Sequence, residues 1–187
     1  MATIVPMNTN HLQKIIWTLC ILLLTNVLLP GATPSAEVSS PEKSAEATET
    51  EAYLHDSINR IRKEHRLPAL KASPALRQIA RSHSRFMAST GYLGHGENGG
   101  RDFRSRIEKA KVKGWRTLGE NVARSMGYRN NADVLISGWM QSKPHRKNIL
   151  SADFNLTGIG TAEAADGTLY ATQVFMGSDD QHQNPPR

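Results

Sequence analysis

The chain has 187 residues, a formal net charge of +6 at pH 7 and one cysteine, Cys20. This length suits one domain of ordinary size with flanking segments, and a lone cysteine excludes a disulfide-rich scaffold and a Cys-x-x-Cys metal site. The basic charge favours anionic partners such as acidic lipid headgroups or wall polymers, although it serves solubility equally well. No nucleic-acid-binding motif accompanies it, so we expect no nucleic-acid partner.

The N-terminal segment is dominated by an apolar run over residues 15–29, which follows Lys14 and precedes Pro30-Gly31-Ala32. As a helix this run is about 22 Å long, short of the roughly 30 Å of a bilayer core. A positive residue, a short apolar core and small residues behind it predict a secretory signal peptide over residues 1–32. We therefore expect a secreted protein, extracellular or periplasmic. The alternative is an uncleaved anchor, through which alone the chain would contact the membrane.

The next stretch, residues 33–51, is rich in Ala, Ser, Thr, Pro and Glu, and Val38 is its one large apolar residue. Such a composition cannot bury a core, so it predicts a disordered acidic linker. The apolar periodicity that follows predicts one folded domain over residues 52–177. The polar residues 178–187 predict a flexible tail.

Four helices are predicted within this domain. Apolar residues at helical spacing begin at Leu54, and Leu67-Pro68 ends the first helix. Ser73-Pro74 begins the second helix and Gly91 ends it. The third and fourth cover about residues 101–111 and 130–141. The basic side chains around the third helix are expected to face solvent or an anionic partner; they are Arg104, Arg106, Lys109, Lys111, Lys113 and Arg116.

The end of the domain changes from helical to strand periodicity. Residues 156–163 and 168–176 predict two strands, joined through the turn pair Asp166-Gly167, and residues 119–123 predict a further short strand. Helices on both sides of a small antiparallel sheet give the natural packing. The predicted fold class is therefore α+β, a single-domain three-layer α-β-α sandwich.

Four polar side chains are candidates for a site because each lies in a loop or at the edge of an element: His95, Glu120, His145 and Asn148. Imidazole nitrogens suit Zn²⁺ and similar metals, and a carboxylate can complete a metal site, act as a base or orient a histidine. The H-E-x-x-H and G-x-S-x-G signatures are absent. His83 falls on the apolar face of its helix and is predicted to be a core histidine.

Several motifs in order resemble the CAP superfamily, the cysteine-rich secretory, antigen 5 and pathogenesis-related 1 proteins that carry an SCP domain. The resemblance covers residues 52–177. Because these residues contain no cysteine, the chain resembles the bacterial branch of the superfamily. The motifs are Ala80-Arg81-Ser82-His83-Ser84, Leu93-Gly94-His95, Gly119-Glu120-Asn121, Trp139-Met140-Gln141-Ser142, His145-Arg146-Lys147-Asn148-Ile149-Leu150, Gly158-Ile159-Gly160 and Tyr170-Ala171-Thr172-Gln173-Val174-Phe175.

The resemblance implies an α-β-α sandwich with one open cleft, in which two histidines hold a divalent metal beside acidic residues. His95 and His145 match the two histidines, and Glu120 matches the carboxylate of the Gly-Glu-Asn motif. The animal members have a second glutamate three residues after the motif tryptophan, where this chain has Ser142. Glu97 is a candidate replacement for that glutamate.

Three functions of different classes follow. We favour an exported, non-enzymatic binding module that holds Zn²⁺ or another divalent cation through His95 and His145 and binds a lipid, a wall polymer or a protein. The alternatives are a metal-assisted hydrolase with Glu120 as catalytic base, and a structural envelope protein with a vestigial cleft. Ser142 and the absence of a nucleophile motif favour the first function.

Overall fold

The structure is a computed structural model that describes residues 41–96 and 102–179. The predicted signal peptide, the first part of the predicted linker (residues 33–40), Glu97 and residues 180–187 lie outside the described residues. Within the described part, no helix is both long enough and apolar enough to cross a bilayer.

Helices and strands are interspersed along the described chain. They are α1 (Pro41–Glu64), β1 (Lys71–Ala72), α2 (Pro74–Thr90), α3 (Phe103–Lys109), β2 (Trp115–Ser125), α4 (Asn131–Gln141), α5 (Lys143–Ile149), β3 (Leu156–Glu163) and β4 (Leu169–Ser178).

The strands form one sheet in the order β1-β3-β4-β2. The β3–β4 hairpin and the β2–β4 pair are antiparallel, as predicted, but β1 runs parallel to β3 through the pairs Lys71↔Leu156 and Ala72↔Thr157. The sheet is therefore mixed rather than purely antiparallel. Two residues without apolar alternation give too little pattern to predict β1 from the sequence.

Helices cover both faces of the sheet, which confirms the predicted sandwich. Successive residues of β4 point to opposite faces, so Phe175 packs in a cluster with residues of α1, α4 and α5, and Val174 packs in another with residues of α2 and α3. The two clusters form the two halves of the core around one sheet.

Helix α1 corrects the predicted linker, because residues 41–51 are helical and not disordered. Pro41 is the first helical residue, where its fixed φ angle favours a helix start. The buried group in this first part is a carboxylate, Glu51, which accepts hydrogen bonds from Arg81 Nη2 at 2.6 Å and from the backbone N–H of Thr161 at 3.1 Å. An apolar pattern does not reveal this kind of anchor.

Helix α2 packs directly on the backbone of β3 at two glycines. A Cβ atom at Gly158 would lie 2.1 Å from Arg77 N, and one at Gly160 would lie 2.1 Å from Arg81 N. Real side chains do not tolerate such distances, so these glycines set the separation between helix and sheet.

Candidate functional site

The predicted site residues gather at the outer edge of β2, the last strand in the sheet order. Glu120 and Asn121 are neighbours on this strand and are both buried. The backbone oxygen of Glu120 accepts a hydrogen bond from Asn148 Nδ2 at 3.3 Å. The short helix α5 therefore lies against a strand edge that no further strand of the described chain covers.

Glu120 binds two cationic or polar partners through its two carboxylate oxygens. Oε1 lies 3.0 Å from His95 Nδ1, and Oε2 accepts from Arg106 Nη2 at 2.5 Å. Arg106 Nη1 also donates to the backbone oxygen of His95 at 2.9 Å. This closed three-residue network fixes the position of His95, whose side chain stays 55% exposed.

Arg106 corrects the predicted solvated face of the third helix. Its side chain is 6% exposed and forms an ion pair with Glu120 inside the protein. The other basic residues of that stretch follow the prediction more closely, since Arg104, Lys109, Lys111, Lys113 and Arg116 are exposed. In the sequence, Arg106 is next to Ile107, which is buried. The periodicity of the segment nevertheless predicted that the Arg106 side chain faces solvent.

The position of His145 is fixed by a hydrogen bond to its backbone oxygen. Asn121 Nδ2 donates to the backbone oxygen of His145 at 3.1 Å, and Asn148 Nδ2 donates to Asn121 Oδ1 at 2.9 Å. The segment that carries His145 and Asn148 is the short helix α5, in which both residues lie near an end. Pro144 in the first turn favours this short helix.

A buried cation supports the far end of α5. Arg62 of α1 is fully buried and donates through Nη1 to the backbone oxygens of Ile149 and Ser151, both at 2.8 Å. Burial lowers the pKa of its guanidinium. Because carbonyl oxygens at a helix C-terminus lack intrahelical partners, Arg62 caps α5 and thereby positions His145.

The buried His83 positions the segment that carries His95. His83 is fully buried, as predicted, and its Nε2 lies 2.8 Å from the backbone oxygen of Gly94. His83 therefore acts on the site through the chain next to His95 and does not line the cleft as a ligand.

The two candidate ligands influence one another electrostatically. Burial, and secondarily the charge of His95, lower the pKa of His145. The neutral imidazole, which is the form that binds metals, is therefore favoured at His145.

The described residues contain no group of three or more His, Cys, Asp or Glu side chains arranged to hold a metal ion. Glu120 contacts His95 directly, which is the role of a carboxylate that orients a histidine. The chemistry that this arrangement offers is that of two imidazoles, one of them fixed by a carboxylate, beside a buried arginine.

Comparisons with known proteins agree with the fold. A family model described as "CAP: Cysteine-rich secretory protein family" matches residues 55–175. Two relatives come from Bacillus subtilis (strain 168): "Uncharacterized protein YkwD" is 30% identical over 129 residues, 68% of this chain and 47% of its own length. "Uncharacterized membrane protein YlbC" is 28% identical over 129 residues, 69% of this chain and 35% of its own length. The chain thus spans less than half the length of these relatives.

Two solved structures are also similar. An extracellular protein containing a SCP domain from Bacillus anthracis str. Ames has a TM-score of 0.64 and 28% identity, covering 73% of this chain and 43% of that one. An outer surface protein from Borrelia burgdorferi also has a TM-score of 0.64, at 17% identity, covering 71% of this chain and 96% of that one, and shares the fold.

Proposed function

Since this chain belongs to the CAP family of cysteine-rich secretory proteins, we propose that it is an exported binding module whose cleft holds a divalent metal ion. His95 and His145 are the metal ligands, and the metal with the surrounding surface binds a lipid, a wall polymer or a protein of the envelope or the extracellular space. The observation that carries this proposal is the 3.0 Å contact between His95 Nδ1 and Glu120 Oε1.

That contact supports metal binding because it selects the tautomer of the neutral ring. A carboxylate next to Nδ1 favours the tautomer with a proton on Nδ1, which leaves the lone pair of His95 on Nε2. Metal-binding histidines usually have such a partner on the other ring nitrogen. The donor set therefore fits Zn²⁺ or a similar cation, with Glu120 outside the coordination sphere.

Two protein ligands leave two of the four positions of a four-coordinate metal for other groups. Structural zinc sites are closed by four protein ligands, whereas open sites exchange water for a ligand. A bound metal at this site would supply a Lewis-acidic position to which an external oxygen can bind. This property suits a binding module better than a structural metal site.

The contacts of Glu120 argue against the hydrolase alternative. A general base must accept a proton from water, but each oxygen of Glu120 already faces a donor, His95 on one side and Arg106 on the other. Ser142 also stands where the family resemblance places a second glutamate. Binding is thus the better-supported function.

Export is supported by two independent features. The apolar run at residues 15–29 has the length and the flanks of a secretory signal peptide. The similar structures are described as an extracellular protein and an outer surface protein. The excess of Lys and Arg over Asp and Glu favours an anionic partner in that location.

Calorimetric titration of the purified protein with ZnCl₂ tests the metal site. We expect one bound zinc in the wild type, and loss of binding in both His95→Ala and His145→Ala. His65→Ala is the matched control, because His65 lies exposed just after the end of α1 and its Nδ1 contacts the backbone oxygen of Ile61. Zinc binding that survives both cleft substitutions, or that His65→Ala removes, would refute the assignment.

A further inference from the structure

A second concave surface lies between α2 and α3, apart from the cleft. It has a volume of about 560 Å³, which is within the roughly 300–1,000 Å³ typical of ligand sites. Its α2 wall runs from Ala75 to Phe86, a length of about 16 Å at 1.5 Å per residue. We call this surface the α2–α3 groove.

The charges of the α2–α3 groove all have one sign. Arg106 and Lys109 line it, and no Asp or Glu of the described chain does. Lys109 is exposed and forms no ion pair with any described residue. Since Arg106 is paired with Glu120, the charge left for a ligand in the groove is that of Lys109, whose complement is an anion.

Arg106 also has an unused hydrogen-bond donor. Its side chain is more than nine-tenths buried, and its Nε finds no hydrogen-bond acceptor among residues 41–96 and 102–179. Buried N–H groups are rarely left without an acceptor in folded proteins. Because this Nε is enclosed by protein atoms, it does not reach a ligand in the groove, and Lys109 is the cation that does.

The remaining lining is half polar and half apolar. Gln78, Ser82 and Ser105 offer an amide and two hydroxyls, while Ile79 and Phe86 offer apolar surface. An acyl chain would leave the amide and hydroxyls without partners, and an inorganic anion would not cover the apolar residues. A sugar ring satisfies both, because its hydroxyls form hydrogen bonds and its C–H face packs on an aromatic ring.

From these observations we propose that the α2–α3 groove binds an anionic glycan segment whose sugars carry carboxylates. The carboxylate pairs with Lys109, and the sugar hydroxyls bind Gln78, Ser82 and Ser105. These contacts include neither His95 nor His145, so a failure here leaves the zinc experiment unaffected.

Binding of a hyaluronan hexasaccharide at low ionic strength tests this site, with chitohexaose as the oligosaccharide without carboxylates. We expect the wild type to bind hyaluronan at least about tenfold more tightly than chitohexaose. Ser82→Trp fills the groove from an exposed position and should weaken binding by at least about tenfold. Ser137→Trp, the same change on an exposed position of α4 in the opposite layer, should leave it unchanged.

Three further variants make the outcome decisive. Lys109→Gln should weaken hyaluronan binding several-fold, whereas Lys113→Gln, which removes an equal charge outside the groove, should not. Gln78→Trp fills the groove a turn away and replaces Ser82→Trp if that variant unfolds. Equal binding of both oligosaccharides, no effect of either tryptophan in the groove, or stronger binding of a hexaglutamate peptide than of hyaluronan would overturn the proposal.

Discussion

Two edges of the same sheet are closed by the same device, a buried glutamate paired with an arginine. At the β3 edge, which is the part of β3 that extends beyond the two-residue β1, Glu51 pairs with Arg81 Nη2 at 2.6 Å. At the β2 edge, Glu120 pairs with Arg106 Nη2 at 2.5 Å. The third partner differs. Glu51 binds the backbone N–H of Thr161, which ends the network inside the protein, whereas Glu120 binds His95, whose side chain is 55% exposed.

This difference separates a structural contact from a candidate site. Both networks satisfy a buried carboxylate, so burial and ion pairing alone do not identify function. At the β2 edge the carboxylate instead orients an exposed imidazole, and a second imidazole, His145, lies close enough for His95 to influence its pKa. The following predictions compare the two edges, beginning with the largest expected effect.

The close approach of α2 to the β3 edge should be the most sensitive feature. Gly160→Ala places a Cβ atom 2.1 Å from Arg81 N, so either α2 or β3 must move, and the Glu51–Arg81 pair moves with it. We expect a loss of about 3 kcal/mol or more in the free energy of unfolding, measured by urea denaturation. Gly138→Ala is the control, since a Cβ there has open space; equal stability of both variants would contradict the packing.

Removing the arginine should cost more at the β2 edge than at the β3 edge. Arg106→Met leaves Glu120 buried without its cation, and we expect a loss of about 3–5 kcal/mol. The side chain of Arg81 is 33% exposed, compared with 6% for Arg106, so solvent reaches Glu51 more easily in Arg81→Met. We expect about 1–3 kcal/mol there. A larger loss of stability in Arg81→Met than in Arg106→Met, measured by chemical denaturation, would contradict this difference between the two edges.

Removing the carboxylate charge should affect zinc at one edge only. Glu120→Gln weakens the orientation of His95, and we expect zinc affinity to fall by roughly 10- to 100-fold, as is typical when a carboxylate behind a metal-binding histidine is lost. Glu51→Gln should leave zinc affinity unchanged, because its network contains no histidine. Titration calorimetry measures both. A complete loss of zinc in Glu120→Gln would instead indicate that Glu120 is itself a ligand.

The smallest expected effect concerns the protonation of His145. Burial and the nearby His95 lower its pKa, so its ring should titrate below the ordinary value of about 6.5. Because the unfolded chain then binds this proton more tightly, the stability that His145 contributes is complete above that value. It is lost as the pH falls through the folded-state pKa. In His95→Gln the pKa of His145, followed by NMR of the ring protons, should rise; an unchanged pKa would mean that burial alone shifts it.

The sequence predicted those parts of the fold that local rules determine. Ser73 caps α2 before Pro74, and Asp166-Gly167 forms the β3–β4 turn, because both features depend on neighbouring residues alone. The first turns of α1 were missed, since Glu51 is anchored by Arg81 and Thr161, which lie far along the chain. Strand β1 was missed because two residues are too few to show an alternation of apolar and polar side chains.

The sequence predicted the histidines of the site but not its arginine. His95, Glu120 and His145 follow from the family motifs, whereas spacing alone does not bring them together. Arg106 was assigned to solvent because its helix is rich in Lys and Arg, and only the fold shows that this one side chain turns inward to Glu120. Arg62 was missed for a different reason: its acceptors are backbone oxygens, which the sequence does not distinguish.

A crystal structure of the protein soaked in zinc, with anomalous diffraction recorded at the zinc edge, tests the central claim most directly. We predict one strong peak within bonding distance, roughly 2.0–2.1 Å, of Nε2 of His95 and of a ring nitrogen of His145. Glu120 should keep its contacts to His95 Nδ1 and Arg106 and should not touch the metal. A peak bound to a carboxylate oxygen of Glu120, or a cleft without zinc in crystals that bind it elsewhere, would contradict the account.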